Sequence, residues 1–462
     1  MFEKSVYSER RKRLKNAVGS GIILFVGNNE SPINYTDNSY PFRQDSTFLY
    51  YFGFNQAGLA GLIDVDENRE ILFGKDPTIQ SLIWTGPKPS LSALARKIGV
   101  RFTKDADFLK EAVEEKIRSG RQLHYLPPYR AETAVQISKI TGIKVESLNH
   151  YASVPLIKAV SRQRIIKTDA EIREIEIALD LSYKMYMDIL KGIRPALYER
   201  DVVAIIESVS TSYGSRTSFP TIATVHGETL HNPHHGNRLQ KGRLLLIDAG
   251  LESPELYASD ITRTFPVSGR FTSIQKEIYE IVLEAQNTAI RSIKPGITYR
   301  SVHLKAAKKI ASGLKSAGIL KGDVNDAVRK GAHSLFFPCG VGHLLGLDVH
   351  DMENLGEDLV GYDDTIKRSK QFGLSALRFA KPLKPGMVLT VEPGIYFIPK
   401  LMDQWKAEKI CDRFINYPLL EKYKSFGGIR IEDDVMVTKN GCRLLGKPIP
   451  KTVDDIETIM GG

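Results

Sequence analysis

Hydrophobic and polar positions alternate differently in the two parts of this chain. In the first 160 residues, short apolar runs typical of strands alternate with stretches of helical periodicity. The strand-like runs are 21–26, 59–65 and 70–73, and the helical stretches include 91–98 and 130–141. This alternation predicts a compact α/β domain.

A helix start marks the beginning of the second part. Thr168 and Glu171 form a predicted capping box, in which each side chain satisfies a backbone N–H of the other residue. The preceding segment, 161–167, is polar and basic, whereas the residues that follow keep a helical apolar period. We therefore predict an N-terminal domain at 1–160 and a C-terminal domain at 161–462.

The C-terminal part alternates predicted helices with apolar strands. The predicted helices are 168–190, 199–213, 272–293 and 299–317, and the predicted strands are 217–225, 243–249, 257–267, 387–397 and 427–437. Two polar, weakly periodic insertions interrupt this pattern, at 352–381 and 398–426. Such insertions serve either as lids or specificity loops beside a site or as plain surface embellishments.

Two aspartates fall within one predicted hairpin. RLLLIDAG (243–250) and YASDITRTFPV (257–267) have the pattern of buried strands joined by a loop centred on Pro254, which places Asp248 opposite Asp260. Two facing carboxylates repel each other, and burying both as anions costs still more. The pair therefore requires either a shared proton or a cation.

Three further residues complete a candidate metal site. Glu392 follows an apolar strand in VLTVEPG, Glu432 lies in GIRIEDD, and His343 lies between a glycine and two leucines. Taken singly, they are explained by a salt bridge, an edge-strand charge pair and a packed imidazole. Together with the aspartates they form an oxygen-rich set that suits Mn²⁺, Co²⁺ or Zn²⁺. Two such ions would activate a water and polarise a carbonyl, which predicts hydrolysis.

Composition and charge narrow the classes of protein to which this chain can belong. The 462 residues are 42% hydrophobic and 26% charged, which is typical of a globular protein of two or three domains. The net charge of +10 is spread among 54 acidic residues without basic-aromatic interleaving, so we expect no nucleic-acid partner. No apolar run approaches the roughly 20 residues of a membrane span, and the N-terminus does not resemble a signal peptide. Three scattered cysteines predict no disulfide framework. We expect a cytoplasmic protein without a membrane partner.

The order of the motifs resembles a known family. IDAG, SDITRTFPV, GHLLGLDVHD, VEPGIYF and GIRIEDD resemble, in sequence, the metal-ligand series of the Xaa-Pro aminopeptidases (aminopeptidase P) and Xaa-Pro dipeptidases (prolidases). FRQDSTFLYYFGF (42–54) and IWTGP (83–87) are similar to the family's N-terminal domain. The resemblance implies an α/β (α+β) protein. It would have an N-terminal mixed-sheet domain followed by a pita-bread domain of the creatinase and aminopeptidase type.

The resemblance also implies a role for each ligand. Asp248 would bind one metal through both oxygens, Asp260 and Glu432 would bridge the two metals, and His343 and Glu392 would complete the coordination of the other metal. A bridging hydroxide would then attack the scissile carbonyl, and Glu392 would accept the proton.

Three more residues match family positions near the substrate. His231 in LHNPHHG would lie near the tetrahedral intermediate, His350 would contact the substrate carbonyl or assist proton transfer, and Arg430 would orient ligands. Each could instead be an ordinary loop histidine or surface arginine. One position departs from the pattern, because Cys339 stands where many relatives have histidine. We expect this change to leave metal binding intact and to alter substrate preference or turnover.

The resemblance leads to a main functional hypothesis with two alternatives. The main one is an Mn²⁺-preferring Xaa-Pro aminopeptidase, which removes the N-terminal residue from peptides with proline at position 2. An Xaa-Pro dipeptidase is the first alternative, because YFIPKLMDQW and YKSFGGIRIEDD resemble prolidases. A catalytically inactive pita-bread module that binds peptides or proteins is the second. The family also implies a homodimer or homotetramer.

Overall fold

Four β-sheets organise residues 1–461, the part of the chain that this computed structural model describes. The residues group into two compact units. The first contains 1–164 and 352–359, and the second contains 165–351 and the described residues from 360 onward.

Thirteen strands are described. They are β1 Ile22–Val26, β2 Ala60–Asp64, β3 Arg69–Gly74, β4 Phe102–Asp105, β5 Leu123–His124, β6 Ile222–Thr224, β7 Leu244–Ala249, β8 Ile261–Pro266, β9 Val388–Val391, β10 Gly394–Tyr396, β11 Gly428–Arg430, β12 Asp433–Val437 and β13 Cys442–Leu444.

Seventeen α-helices accompany these strands within the described residues. They are α1 Lys4–Val18, α2 Ser46–Phe52, α3 Ile79–Thr85, α4 Leu91–Lys97, α5 Leu109–Arg118, α6 Ala131–Thr141, α7 Leu148–Tyr151, α8 Val154–Arg164, α9 Asp169–Gly192, α10 Glu199–Ser212, α11 Ser273–Ser292, α12 Tyr299–Ser316, α13 Val324–Arg329, α14 Glu357–Val360, α15 Pro399–Ala407, α16 Tyr417–Leu420 and α17 Val453–Gly461. Among residues 1–461, every helix is too short or too polar to cross a membrane.

A five-stranded mixed sheet, in the order β4-β3-β2-β1-β5, forms the centre of the first unit. The three predicted strands are confirmed and pair antiparallel as β1, β2 and β3. The two edge strands, β4 and β5, pair parallel to their neighbours and were not predicted. They are only four and two residues long, and β4 (FTKD) is largely exposed, so neither has a period that sequence alone would reveal.

The second unit begins with the predicted capping box. The Thr168 hydroxyl accepts the Glu171 N–H, and the Glu171 carboxylate accepts the Thr168 N–H at 2.9 Å. Helix α9 then buries one apolar face over 24 residues, which confirms the predicted helix. The three other predicted helices of this part are confirmed as α10, α11 and α12.

The predicted register of the aspartate hairpin is wrong by two positions. Strand β7 pairs antiparallel with β8, but Asp248 lies opposite Thr262 and not opposite Asp260, which precedes β8. The loop is centred on Glu255 and not on Pro254, because the pairing continues through Glu252 and Ala258. Moving a turn centre by one residue shifts the pairing by two. Asp248 and Asp260 therefore keep the same face of the sheet, because side chains alternate with a period of two.

The predicted strands 387–397 and 427–437 are each broken in two. Strands β9 and β12 belong to the sheet β13-β12-β9, whereas β10 and β11 form a separate two-stranded sheet. The breaks fall at Glu392-Pro393 and at Ile431-Glu432. Proline has no N–H to give to a ladder, which accounts for the first break.

The two glutamates at these breaks face each other. Val391 pairs with Asp433 on one side, and Gly394 pairs with Arg430 on the other. Continuing either register places Glu392 opposite Glu432. The electrostatic repulsion that the sequence assigned to the aspartate pair therefore also applies to these glutamates.

Two histidines of the second unit, His303 and His333, are buried. His303 stacks on Phe337 with ring centroids 5.1 Å apart, and neither of its ring nitrogens has a hydrogen-bond partner among residues 1–461. Burial lowers the pKa of His303 to about 3 and that of nearby His333 to about 4. In the unfolded chain both imidazoles regain a pKa near 6.5.

We expect these histidines to make the fold acid-sensitive. Because their folded pKa values are depressed, their contribution is complete above pH 6.5 and is lost as the pH falls towards about 4 and 3. Each imidazole should cost about 1.4 kcal/mol per pH unit in that window. Urea unfolding at pH 5.5 and 7.5 should show a smaller pH effect for His303→Phe than for the wild type. His234→Gln, at an exposed site, is the control, and equal pH effects in all three proteins would contradict the prediction.

Candidate metal centre

One cavity of about 590 Å³ in the second unit brings the predicted chemistry together. Its lining includes the five residues predicted as metal ligands, the three predicted near the substrate, and the cysteine that departs from the family pattern. These residues are Asp248, Asp260, His343, Glu392, Glu432, His231, His350, Arg430 and Cys339.

Three sheets supply the carboxylates. Asp248 is the penultimate residue of β7, Asp260 immediately precedes β8, and Glu392 and Glu432 occupy the two strand breaks. The Glu432 N–H donates to the Thr262 carbonyl of β8 at 3.0 Å, which joins the break to the hairpin. The end of one strand, a loop residue and two strand breaks thus bring four acidic side chains into one cavity.

His343 lies in the same cavity with a defined orientation. Its Nε2 lies 3.3 Å from Asp260 Oδ2 and 3.4 Å from Glu392 Oε1. Its Nδ1 lies 3.0 Å from the Leu344 carbonyl, which can only accept, so Nδ1 carries the hydrogen and Nε2 presents its lone pair. One donor atom each from Asp260, His343 and Glu432 lie within 4.8 Å of one another.

Arg430 links two of the carboxylates, that of Asp248 directly and that of Glu432 through Thr262. Its guanidinium donates to Asp248 Oδ2 at 2.5 Å, to the Thr262 hydroxyl at 3.0 Å and to the Tyr396 hydroxyl at 2.9 Å. The Thr262 hydroxyl in turn donates to Glu432 Oε2 at 2.7 Å. One oxygen of Asp248 and one of Glu432 are thereby fixed, which leaves the other oxygen of each for a ligand.

Burial disfavours the charged form of four side chains in this cluster. It raises the pKa of Asp260 and of Glu432 well above the ordinary value, and the neighbouring carboxylates raise both further. Burial also raises the pKa of Glu392 to about 7, although the positive charges of Arg430 and Arg378 oppose the rise. Burial lowers the pKa of His343 well below 6.5. A neutral imidazole beside carboxylates that need a counter-charge is the combination that a divalent cation binds.

The donor atoms fit a metal. Within the described part of the chain, Asp248 Oδ1, Asp260 Oδ1 and Glu432 Oε1 are buried and have no hydrogen-bond partner. A buried carboxylate oxygen without a partner is costly, and coordination to a cation removes that cost. Four carboxylates and one imidazole suit Mn²⁺, Co²⁺ or Zn²⁺ better than a soft metal.

The remaining predicted residues surround the carboxylate cluster. The ring of His350 lies 4.3 Å from that of His343, centroid to centroid. His231 is on an exposed loop, and partial burial lowers its pKa. Burial raises the pKa of the Cys339 thiol to about 12, so the thiol stays neutral. Cys339 packs with an apolar cluster that includes Ile222 and Tyr396.

Sequence reasoning missed several residues of this cavity. Arg378 lines it, although it belongs to the 352–381 insertion, for which a surface role and a specificity role were left open. Thr262 and Tyr396 position Arg430, and the Asp434 carboxylate accepts the Asp260 N–H at 3.0 Å. The sequence does contain a signal for Thr262: it lies two positions after Asp260 in the strand-like segment SDITRTF, so the two side chains are expected on the same face. Arg378 and Tyr396 carry no local signal, because tertiary folding alone brings them to the cavity.

Two sequence models of protein families match the chain. The model described as metallopeptidase family M24 matches residues 173–439, and that described as the N-terminal domain of aminopeptidase P matches residues 7–124. Human Xaa-Pro dipeptidase is 33% identical, over 98% of this chain and 91% of its own. A probable Xaa-Pro aminopeptidase of Sordaria macrospora is 31% identical, over 96% of this chain and 91% of its own.

Solved structures of aminopeptidases share the fold over the full length. Pseudomonas aeruginosa aminopeptidase PepP superposes with a TM-score of 0.82 at 28% identity, covering 100% of this chain and 98% of its own. Zinc-substituted Escherichia coli aminopeptidase P in complex with product gives a TM-score of 0.80 at 28% identity, covering 100% of this chain and 99% of its own. These matches bear out the predicted mixed α/β fold with a C-terminal pita-bread domain.

Proposed function

This chain belongs to metallopeptidase family M24 and is a hydrolase of the Xaa-Pro peptidase type, and we propose that it is an Xaa-Pro dipeptidase with a dinuclear metal centre. The observation that carries the choice of substrate length is Arg378, a cationic side chain in the same cavity as the candidate metal ligands. The substrate is proposed to be a dipeptide with proline as its second residue.

Arg378 supports the dipeptidase because of where a substrate carries charge. In an Xaa-Pro dipeptide the proline carboxylate lies one residue beyond the scissile bond, whereas a longer peptide has an uncharged amide there. A guanidinium beside the reacting centre binds a carboxylate through charge-assisted hydrogen bonds and gains much less from an amide. The cavity thus favours a free C-terminus next to the proline.

The Xaa-Pro aminopeptidase predicted from the sequence is the second candidate. It is favoured by the match to the N-terminal domain of aminopeptidase P and by the aminopeptidase structures that match over the full chain. Names of relatives do not decide between the candidates, because similar identities occur to proteins of both names.

We propose Asp248, Asp260, His343, Glu392 and Glu432 as the ligands of two divalent ions. Mn²⁺ is our first choice, with Co²⁺ or Zn²⁺ as alternatives, because four of the five donors are carboxylates. Two bound ions supply an activated water and polarise the scissile carbonyl.

The chain's own groups would complete the reaction. Glu392 accepts a proton from the attacking water and returns it to the proline nitrogen, which must be protonated to leave. His231 and His350 contact the substrate around its scissile carbonyl. Arg430 holds Asp248 and Thr262 in place, so that the carboxylates do not rearrange during the reaction.

The oligomeric state stays a prediction. Helix α3 buries none of its side chains, and Ile79, Ile83 and Trp84 on it are strongly exposed. An apolar surface of this kind supports the proposal of a homodimer or homotetramer, which sedimentation velocity would test.

A single substitution tests the assignment of substrate length. Arg378→Met should lower kcat/KM for Ala-Pro about 10- to 100-fold, because one charged hydrogen-bonding partner of the carboxylate is lost. The kcat/KM for Ala-Pro-Ala, which is expected to be poor already, should change little. Both substrates are assayed on Mn²⁺-loaded protein.

The chain offers a matched control in the same insertion. Arg368 stacks on Tyr362 and is not among the residues that line the cavity, so Arg368→Met should leave both substrates unaffected. Equal losses on dipeptide and tripeptide in Arg378→Met, or a wild type that cleaves the tripeptide as fast as the dipeptide, would favour the aminopeptidase.

A further inference from the structure

A buried ion pair includes the residue that follows His350, a lining residue of the candidate metal centre. Lys167 Nζ is 2.8 Å from Asp351 Oδ2, and each side chain is only 1% exposed. Removing two charges from water costs about as much free energy as their attraction returns, so such a pair contributes little net stability. Its place in the second unit indicates a role in holding particular segments together.

Lys167 contacts two segments that carry site residues. Its backbone N–H donates at 2.9 Å to the carbonyl of Gly386, which lies two residues before β9, the strand that leads to Glu392. Its side chain reaches the carboxylate of Asp351, which directly follows His350 in sequence. One residue therefore joins the approach to Glu392 with the end of the histidine loop, 343–350.

Asp351, the residue after the histidine loop, holds the loop in place through hydrogen bonds to two of its residues. Its backbone N–H donates to the Leu344 carbonyl at 3.0 Å, and its Oδ1 accepts the Asp348 N–H at 3.4 Å. Gly346 leaves room for this carboxylate, because a Cβ there would lie 2.6 Å from Asp351 Oδ2. The same loop begins with His343 and ends with His350, whose rings are in contact.

We propose that the Lys167–Asp351 pair is a positioning device, which fixes the histidine loop relative to the strand that leads to Glu392. It thereby sets the separation between His343, His350 and the glutamate on which metal binding and proton transfer depend. The inference rests on the roles given to these residues in the proposed function. Lys167 and Asp351 act through other residues and touch neither metal nor substrate.

The test removes both charges together, so that neither charge loses its ion-pair partner. Lys167→Met and Asp351→Asn should each lower the melting temperature, whereas the double variant should recover most of it. We expect kcat/KM for Ala-Pro to stay about 10- to 100-fold lower in the double variant, mainly through kcat, and Mn²⁺ affinity by calorimetry to be weakened by a similar factor. Leu314→Ala, in the buried core of α12, is the stability control and should keep its activity per folded molecule and its Mn²⁺ affinity.

The possible outcomes separate this inference from the proposed function. A double variant with wild-type kcat/KM and Mn²⁺ affinity would show that the pair is merely structural. If the double variant does not fold, Asp351→Glu tests the proposal instead, because it retains the negative charge and displaces it by one methylene. Unchanged turnover and unchanged Mn²⁺ affinity in Asp351→Glu would overturn the proposal. A wild type that hydrolyses no Xaa-Pro peptide would refute the proposed function, and Mn²⁺ affinity alone would then decide the role of the pair.

Discussion

Replacing Asp260 with asparagine should abolish hydrolysis of Xaa-Pro peptides while leaving the metal-free protein at least as heat-resistant as the wild type. Activity should fall on the order of 10³-fold or more, since Asp260 is proposed as a metal ligand and its loss would remove several kcal/mol of transition-state stabilisation. The metal-free fold should not suffer, because Asp260 is buried beside Glu432 and Asp248, which disfavour its charge. An amide at this position keeps the shape and removes the repulsion.

Scanning calorimetry with and without Mn²⁺ measures how much stability the metal adds to each variant. The wild type should gain about 4 kcal/mol of stability at a metal concentration of about 1,000 Kd, whereas Asp260→Asn should gain far less. Asp180→Asn, at a partly exposed carboxylate on α9, is the matched control and should behave as the wild type. A marked destabilisation of metal-free Asp260→Asn, or a metal response equal to that of the wild type, would contradict the assignment of this residue.

Glu392→Gln should produce the second largest loss of activity. Glutamine retains an oxygen that can still reach a metal, but it cannot accept a proton from the attacking water. We therefore expect kcat to fall about 10²- to 10⁴-fold with a much smaller change in KM. Steady-state kinetics on Ala-Pro, together with the metal content of the same sample, provides the measurement.

The metal content distinguishes the two roles proposed for Glu392. If Glu392→Gln retains its metal but has a low kcat, Glu392 acts in proton transfer. If the variant loses its metal, the loss of activity is explained by the role of Glu392 as a ligand alone. A variant that keeps both its metal and its turnover would remove Glu392 from the mechanism. Glu284→Gln on α11 is the control, because that partly exposed carboxylate forms ion pairs with the surface side chains of Arg291 and Lys309 and does not line the cavity.

The sequence predicted those parts of the molecule that depend on local chemistry. The capping box of Thr168 and Glu171 begins α9 as expected, because it requires only contacts within one helical turn. The apolar runs of β7 and β8 and the periods of α11 and α12 are likewise local. The motifs around Asp248, Asp260, His343, Glu392 and Glu432 predicted residues that the fold brings into one cavity.

Features that depend on contacts between residues far apart in sequence could not be predicted in this way. The hairpin register was wrong by two positions because a one-residue change in the turn centre leaves the apolar alternation intact. Pro393 gives a local signal for the break at Glu392, but the break at Glu432 has no such signal, and only the pairing of four strands into two sheets reveals it. Arg378 reaches the cavity from a polar insertion that has no period, and Lys167 meets Asp351 across 184 residues of sequence.

The most direct test of the central claim is a metal titration of Ala-Pro hydrolysis by protein stripped with a chelator. We predict no turnover without metal and, on addition of Mn²⁺, a rate that saturates at about two ions per chain. Turnover that survives complete removal of metal, or that reaches its maximum with a single bound ion, would contradict the dinuclear centre proposed here.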